Sequence, residues 1–344
     1  PLSRNAETTH IYNMSFGVTD GGHFVAPNVA IENAIASGVA NGRGGLGSIY
    51  VKAAGNSRTN GIASQMLDDS NFDGESGLPG VINVAAVNSA GRFSTYSTKG
   101  ASVLVAAPSN DGRFGQPAVT TTDRTGSPGY ESPANTAYTD EFGGTSAATP
   151  IVSGVVALVL QANPQLTWRD VKHVLATTAR RNDASDSDWV QNGAGHWVNH
   201  NYGFGVVDAS SAVTAARGWT SLGTDYDGME SESVTPNVAI PDDNTTGVTS
   251  EITISGSTLT TCDYIRVTAS FPDHTYYTDL ELVLTSPDGT ETVLKPLTFP
   301  TSAPPTGITM RMVTHRHLGE TVNGTWSLRV RDLRTADTGV FESW

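Results

Sequence analysis

Apolar and polar positions follow two rhythms over the first 219 residues. Residues 28–40 place apolar side chains at 31, 34, 35 and 39. That is the spacing of one helix face, with Asn28 as cap and Gly42-Arg-Gly-Gly45 as stop. Residues 48–54, 81–87 and 102–107 are short apolar runs bounded by Gly, Asn or Pro, as buried parallel strands are. Strand, loop and helix in alternation predict an α/β domain. Residues 149–161 are apolar nearly all round, which predicts a helix buried within that domain. Pro150 is tolerable there only in a first turn, so the helix N-terminus falls beside Gly144-Thr145-Ser146. A further helix starts at the capping-box-like Thr167-Trp-Arg-Asp170 with Val171, Val174 and Leu175 inward, and Asp208 caps a last one over 209–217.

After Trp219 the pattern changes. Residues 220–247 are acidic and polar with little period, and read as a linker or a first strand. From 248 to 344, runs such as Asp279-Leu-Glu-Leu-Val-Leu284 are followed by turn signals such as Ser286-Pro-Asp-Gly289, which predicts an all-β second domain, a sandwich.

Composition narrows the function classes. A chain of 344 residues with 16% charged residues, 36 Gly and 17 Pro suits a loop-rich globular protein and not a coiled coil or a disordered chain. The net charge of −14 argues against a nucleic-acid partner, which needs a basic stripe. It suits calcium, a basic peptide, or solubility alone. Cys262 is the single cysteine, which excludes an internal disulfide and a four-cysteine zinc site. No run of about 18 apolar residues predicts a membrane-spanning helix. Both ends are expected to be cut: the chain begins at Pro1 without Met and stops at Trp344 within a strand-rich segment.

The chemistry lies in residues 143–150, Gly-Gly-Thr-Ser-Ala-Ala-Thr-Pro. A serine at a helix entrance has unpaired N–H groups and the helix dipole nearby, both of which favour developing negative charge. Alone, the string is also an ordinary helix start; before a buried apolar helix it reads as a nucleophile. The string resembles the nucleophile motif of subtilisin-like serine proteases, with Ser146 as nucleophile. Ala53-Ala-Gly-Asn-Ser57 resembles that family's oxyanion segment, and the resemblance assigns the oxyanion donor to Asn56. Met14-Ser-Phe-Gly17 resembles the S-W-G segment of the kexin/furin branch, with Phe16 in place of Trp. The resemblance implies that Ser15, Phe16 and Gly17 pair with the substrate strand and that Ala53, Gly55 and Thr145 line the cleft. Asp20 and Asp73 match the acids of a pocket for a basic P1 side chain, Asp73 with one intervening residue fewer.

Further implications follow from the same resemblance. The fold is a subtilisin-like parallel sheet with helices on both faces, its N-terminal part missing, over residues 1–219, then a jelly-roll-like P (Homo B) sandwich. A calcium ion under the P1 pocket is expected from Asp20 with Asp68 or Asp69, although Thr98 stands where the family has a glutamate, which leaves that site weakened, relocated or water-filled. Asp183, Asp186 and Asp188 read as a solvated loop rather than a metal site. The implied partners are a peptide or protein substrate, with a propeptide or chaperone; the scarcity of cysteine and the acidity favour a secreted or periplasmic bacterial enzyme over a eukaryotic convertase. The family's D-[ST]-G aspartate and H-G-T histidine do not lie upstream of Ser15; Asp337-Thr-Gly339 carries the first string in a turn of the β domain and reads as a decoy. None of the eight histidines precedes Gly-Thr: His10, His23 and His173 read as strand-edge, loop and helix residues. The chain alone is therefore expected to be inactive, and the intact protein a serine endopeptidase. The rival reading is a peptide-binding relative that lost its acid–base pair. The β domain is expected to stabilise the first domain.

Overall fold

The computed structural model describes residues 2–18, 21–59, 61–62, 65–111, 117–130, 137–224 and 230–344. Four strands, β1 (Ile11–Met14), β2 (Ile49–Ala53), β3 (Val81–Val87) and β4 (Val103–Pro108), form one parallel sheet in that order. Helix α1 (Val29–Asn41) covers one face, where Ile35 packs with Met14, Tyr50, Leu78 and Val81. Helices α2 (Thr145–Ala162), α3 (Trp168–Thr178) and α4 (Ala209–Arg217) cover the other, over Ile49, Val51, Ile82 and Val84. The two-residue side-chain period of a strand therefore sends Ile49 and Val51 to the α2 face and Tyr50 to the α1 face. Short antiparallel pairs β5–β6 (Val119–Thr122, Tyr138–Phe142) and β7–β8 (Val190–Gln191, Trp197–Val198) lie outside this sheet.

The helix ends follow local chemistry. Asn28 Oδ1 accepts from Ala30 N–H at the start of α1. Thr167 and Asp170 exchange bonds in a full capping box at α3, and Asp208 caps α4 through Ser211 N–H. Helix α2 starts beside Gly144-Thr145-Ser146 as expected, but Pro150 is not in its first turn. It begins at Thr145, so Pro150 sits inside the helix, past the first turn. A proline there has no N–H for the carbonyl four residues back, that of Ser146. Ser15 Oγ supplies the missing donor, reaching Ser146 O at 3.0 Å. By length and composition α2 is also the one helix among the described residues able to cross a membrane. Here it packs on β1–β4 and α4, with Val152, Val156 and Val159 fully buried.

The second half is antiparallel throughout. Strands β10 (Val248–Ile254), β15 (Gly324–Asp332), β12 (Leu280–Thr285) and β13 (Glu291–Lys295) form one sheet in that spatial order. Strands β11 (Ile265–Phe271) and β14 (Ile308–Thr314) pair with each other, as do β9 (Val238–Ile240) and β16 (Gly339–Phe341). Leu280, Leu282, Leu284, Leu328 and Val330 meet Val267, Phe271, Met310 and Phe341 in one buried core, the arrangement of a β-sandwich. The two halves are joined by buried hydrogen bonds. Asn71 takes Val313 N–H at 3.0 Å and donates to Leu294 O at 3.0 Å. Asn192 Nδ2 donates to Arg316 O and Leu318 O, each at 2.9 Å.

Candidate active site

Ser146 is the second residue of α2, and the turn before it sets its position. Gly144 has φ +85°, a backbone conformation that a side chain disfavours. Its N–H donates to Tyr96 Oη at 2.9 Å and its carbonyl accepts from Ser109 Oγ at 2.8 Å. Ser146 Oγ donates to Ser15 O at 3.2 Å. With the Ser15 Oγ bond to Ser146 O, the serine and the segment after β1 hold each other by two hydrogen bonds.

Asn56 lies on the loop after β2, with its side chain at the surface. Thr145 N–H donates to Asn56 Oδ1 at 2.8 Å, and Thr145 Oγ1 lies 3.0 Å from the same oxygen. A backbone N–H can only donate, so this contact fixes which end of the amide is oxygen. Nδ2 is left as the end that can donate outward, beside the residue that precedes Ser146. Thr145 Oγ1 also accepts from Gly55 N–H at 3.2 Å and lies 3.2 Å from Gly55 O, tying both loops together. The geometry thus gathers Ser146, Asn56, Thr145, Gly55 and Ser15. Phe16 follows, half exposed at 50%.

Beneath Phe16 and Gly17 lies a charged pair. Lys52 of β2 is fully buried, donates from Nζ to Phe16 O at 3.0 Å, and meets Asp73 Oδ2 at 2.7 Å. A β-carbon on Gly17 would stand 3.0 Å from Asp73 Oδ2 and 3.3 Å from Lys52 Nζ. Asp73 Oδ1 accepts from Glu75 N–H at 3.0 Å. Burial, then the Asp73 charge, holds the Glu75 carboxyl above its usual range, with Lys52 opposing. Ala53, the next residue of β2, is buried. Asp20 lies outside the described residues.

Asp68 and Asp69 are both buried. Burial pushes Asp69 up to about 7, while the Asn71 N–H bond and the charges of Lys99 and Lys295 pull it down. Thr98 Oγ1 is engaged by Ser57 N–H at 3.2 Å. No three His, Cys, Asp or Glu side chains gather to hold a metal ion among the described residues. A hard cation needs six or more oxygens, and the described residues do not by themselves assemble such a set around Asp68 and Asp69. The loop carboxylates are also not simply solvated. Asp186 accepts from Asn201 Nδ2, and Asp183 accepts from Tyr202 Oη. Asp188 bonds His200, with Arg316 of the β domain 3.8 Å away. Burial alone would raise the Asp188 carboxyl; those bonds and the Arg316 charge hold it far below its usual range.

No histidine hydrogen-bonds Ser146 among the described residues. His23 meets Ser302, His173 meets Asp263, His200 meets Asp188, and His317 meets Glu320. Asp337 accepts from Thr275 Oγ1 in the loop before β16. Sequence reasoning missed Lys52, Tyr96 and Ser109. The one available signal was a lysine inside the apolar run Ser48-Ile-Tyr-Val-Lys-Ala53.

Comparison with known proteins shows the family and the fold. The model of the subtilase family matches residues 3–205, and that of the proprotein convertase P-domain matches residues 264–344. Neuroendocrine convertase 2 of Drosophila melanogaster is 34% identical over an alignment of 338 positions that covers 94% of this chain and 48% of that protein. Proprotein convertase subtilisin/kexin type 7 of Homo sapiens is 32% identical over 350 residues, covering 100% of this chain and 43% of that protein. The chain thus spans about half the length of these curated relatives, or less. The crystal structure of a serine protease of Aeromonas sobria superposes with a TM-score of 0.82 at 24% identity, over 98% of this chain and 71% of that one. The same protease in complex with a chaperone gives 0.81 at 24% identity, over 98% and 70%. At that identity the likeness is one of fold.

Proposed function

Because the chain belongs to the subtilase family and carries a proprotein convertase P-domain after the matched region, we propose that the intact protein hydrolyses internal peptide bonds by acyl transfer at Ser146. Ser146 Oγ attacks the scissile carbonyl carbon, the C–N bond breaks after the tetrahedral intermediate, and water then releases the acyl group from Oγ. The observation that carries this reading is the commitment of Asn56 Oδ1 to Thr145. It leaves the Asn56 amide N–H groups to meet the oxyanion beside the nucleophile. Ser15, Phe16 and Gly17 receive the substrate backbone as an added strand.

The proton of Ser146 needs a base, and its hydroxyl donates to Ser15 O instead. The chain alone is therefore proposed to be inactive, the base and its orienting acid coming from protein outside residues 1–344. The relatives named above support the kexin/furin branch, and with it a secreted setting and a propeptide or chaperone as partner. Cleavage after Lys or Arg would be a finer form of this proposal. The match of Asp20 and Asp73 alone would support it, but the Lys52–Asp73 pair opposes it, so the proposal is an endopeptidase without that preference. A calcium ion held by Asp20 with Asp68 or Asp69 is not part of the reading, since no such oxygen set is assembled among the described residues.

The test is hydrolysis of a fluorogenic peptide set by this chain and by the protein extended upstream. The extended protein is expected to cleave and to lose cleavage on Ser146→Ala, while the 344-residue chain does not cleave. Cleavage by the chain alone that disappears in Ser146→Ala overturns the inactivity. An extended protein that binds peptides without cleaving them leaves the non-catalytic peptide-binding reading.

A further inference from the structure

A lysine whose ammonium is fully withdrawn from water is stable only against a paired charge and good acceptors. Lys52 has both, and both belong to the cleft: Phe16 O at 3.0 Å and Asp73 Oδ2 at 2.7 Å. Phe16 lies one residue past Ser15, which exchanges hydrogen bonds with Ser146. Gly17 lies over the pair so closely that a β-carbon would stand 3.0 Å from the carboxylate. The second oxygen of Asp73 already accepts from Glu75 N–H. Asp73, with a side chain 14% exposed, is therefore not an open carboxylate waiting for a guest.

We propose that Lys52 is a specificity-determining residue: it occupies Asp73 as an internal cation, so that the segment Ser15-Phe16-Gly17 next to Ser146 receives uncharged P1 side chains in preference to lysine or arginine. This rests on the endopeptidase reading above. A basic P1 side chain reaching Asp73 would bring a second positive charge against Lys52, in surroundings where charge is poorly screened. Displacing Lys52 would instead strand its ammonium in the protein interior, and the strand that carries it is buried along its whole length. A covalently tethered cation also outcompetes a free one at the same acid, because its local concentration is fixed by the fold. Glu75 offers no simple replacement. It is buried, and its carboxyl is held toward the neutral form by that burial and by Asp73. An uncharged side chain meets no such cost.

Benzamidine, a small planar cation with the shape of a basic P1 group, tests this on the 344-residue chain without catalysis. Its affinity is measured by calorimetry for the wild type, Lys52→Met and Asp73→Asn. The wild type is expected to bind at millimolar level or weaker, Asp73→Asn to bind alike, and Lys52→Met to bind at least about tenfold tighter, as for one freed charge-assisted contact. Micromolar binding by the wild type overturns the proposal, as does a loss of about tenfold or more in Asp73→Asn, or a folded Lys52→Met chain that gains nothing. Should Lys52→Met fail to fold, the comparison of wild type with Asp73→Asn decides by itself. In the extended protein, kcat/KM is expected to favour a P1 alanine peptide over its P1 arginine counterpart, and Lys52→Met to reverse the order. Absence of any Ser146-dependent hydrolysis there defeats the endopeptidase reading alone and leaves the benzamidine result standing.

Discussion

Thr145 joins three groups whose relative placement decides the chemistry: its N–H fixes Asn56, its hydroxyl ties Gly55, and Ser146 follows it in the chain. Two predictions belong at this scale, both in the extended protein. Asn56→Ala is expected to lower kcat by about 10²–10³-fold with little change in KM, the usual cost of one oxyanion donor. Thr145→Val keeps the backbone N–H but removes the hydroxyl, so Asn56 keeps its stronger tether and kcat falls by about tenfold. An equal loss in both variants would mean that Asn56 acts through packing and not as a donor. The sequence pointed to Ser146 and Asn56 because each stands inside a string of neighbours with its own signature. Lys52 has no such string. A lysine in an apolar run reads as an interruption of the strand, and only the approach of Phe16 and Asp73 gives it a partner.

At the scale of elements, α2 carries a local conflict that its surroundings resolve. Pro150 withholds a donor from Ser146 O, and Ser15 Oγ replaces it. Ser15→Ala should therefore leave that carbonyl unsatisfied and destabilise the chain by about 1–3 kcal/mol, read from chemical denaturation. A change within error would show that water takes the place of the hydroxyl. Helix α3 offers a pH signature. Lys172 is buried, donates to Pro79 O at 2.8 Å, and lies 5.9 Å from the Tyr264 ring centre of the β domain. Burial pushes its ammonium down to about 7, with Asp263 opposing. Between that value and the ordinary lysine range the unfolded chain holds a proton that the folded chain does not, so stability rises with pH above about 7. Lys295, also lowered to about 7 by burial, acts in the same direction. Lys172→Met should reduce, without abolishing, a rise on the order of 1 kcal/mol per pH unit between about pH 7 and 8.5. A slope that Lys172→Met leaves unchanged would place the lysine charge in solvent in the folded state.

At the scale of the molecule, the β domain reaches into the loop that carries Asp73. Asn71 sits two residues before Asp73 and is held by Val313 N–H and Leu294 O. The neighbouring Met66 carbonyl accepts from Phe299 N–H at 2.7 Å. Phe24 N–H donates to Tyr277 Oη at 3.2 Å. Removing residues 225–344 keeps the bonds of Asp170 to Ser221 and Leu222 but strips every one of these anchors. The remaining domain is expected to melt at least about 5 °C lower than the whole chain, which should itself unfold in a single transition. An unchanged midpoint would make the β domain a passenger. Asn71→Ala is a milder form of the same test: it leaves two buried backbone groups unpaired and should cost about 2–4 kcal/mol.

The amino-acid sequence by itself determined the element types, the caps of α1, α3 and α4, the change to an all-β second half, and the identity of Ser146 and Asn56 as candidates. These depend on neighbours within one turn or one strand, where periodicity, capping and motif spacing are read directly. The tertiary structure alone decided which groups already have partners. Pro150 could lie deeper in α2 than its own chemistry allows because Ser15, more than a hundred residues away, supplies the donor. Asp69 is buried, within reach of the charges of Lys99 and Lys295. Asp73 meets Lys52 of β2 from the long loop between β2 and β3. Such pairings join residues far apart in sequence, and the free energy of a buried charge depends on what the fold brings within a few ångströms of it, which no local pattern records.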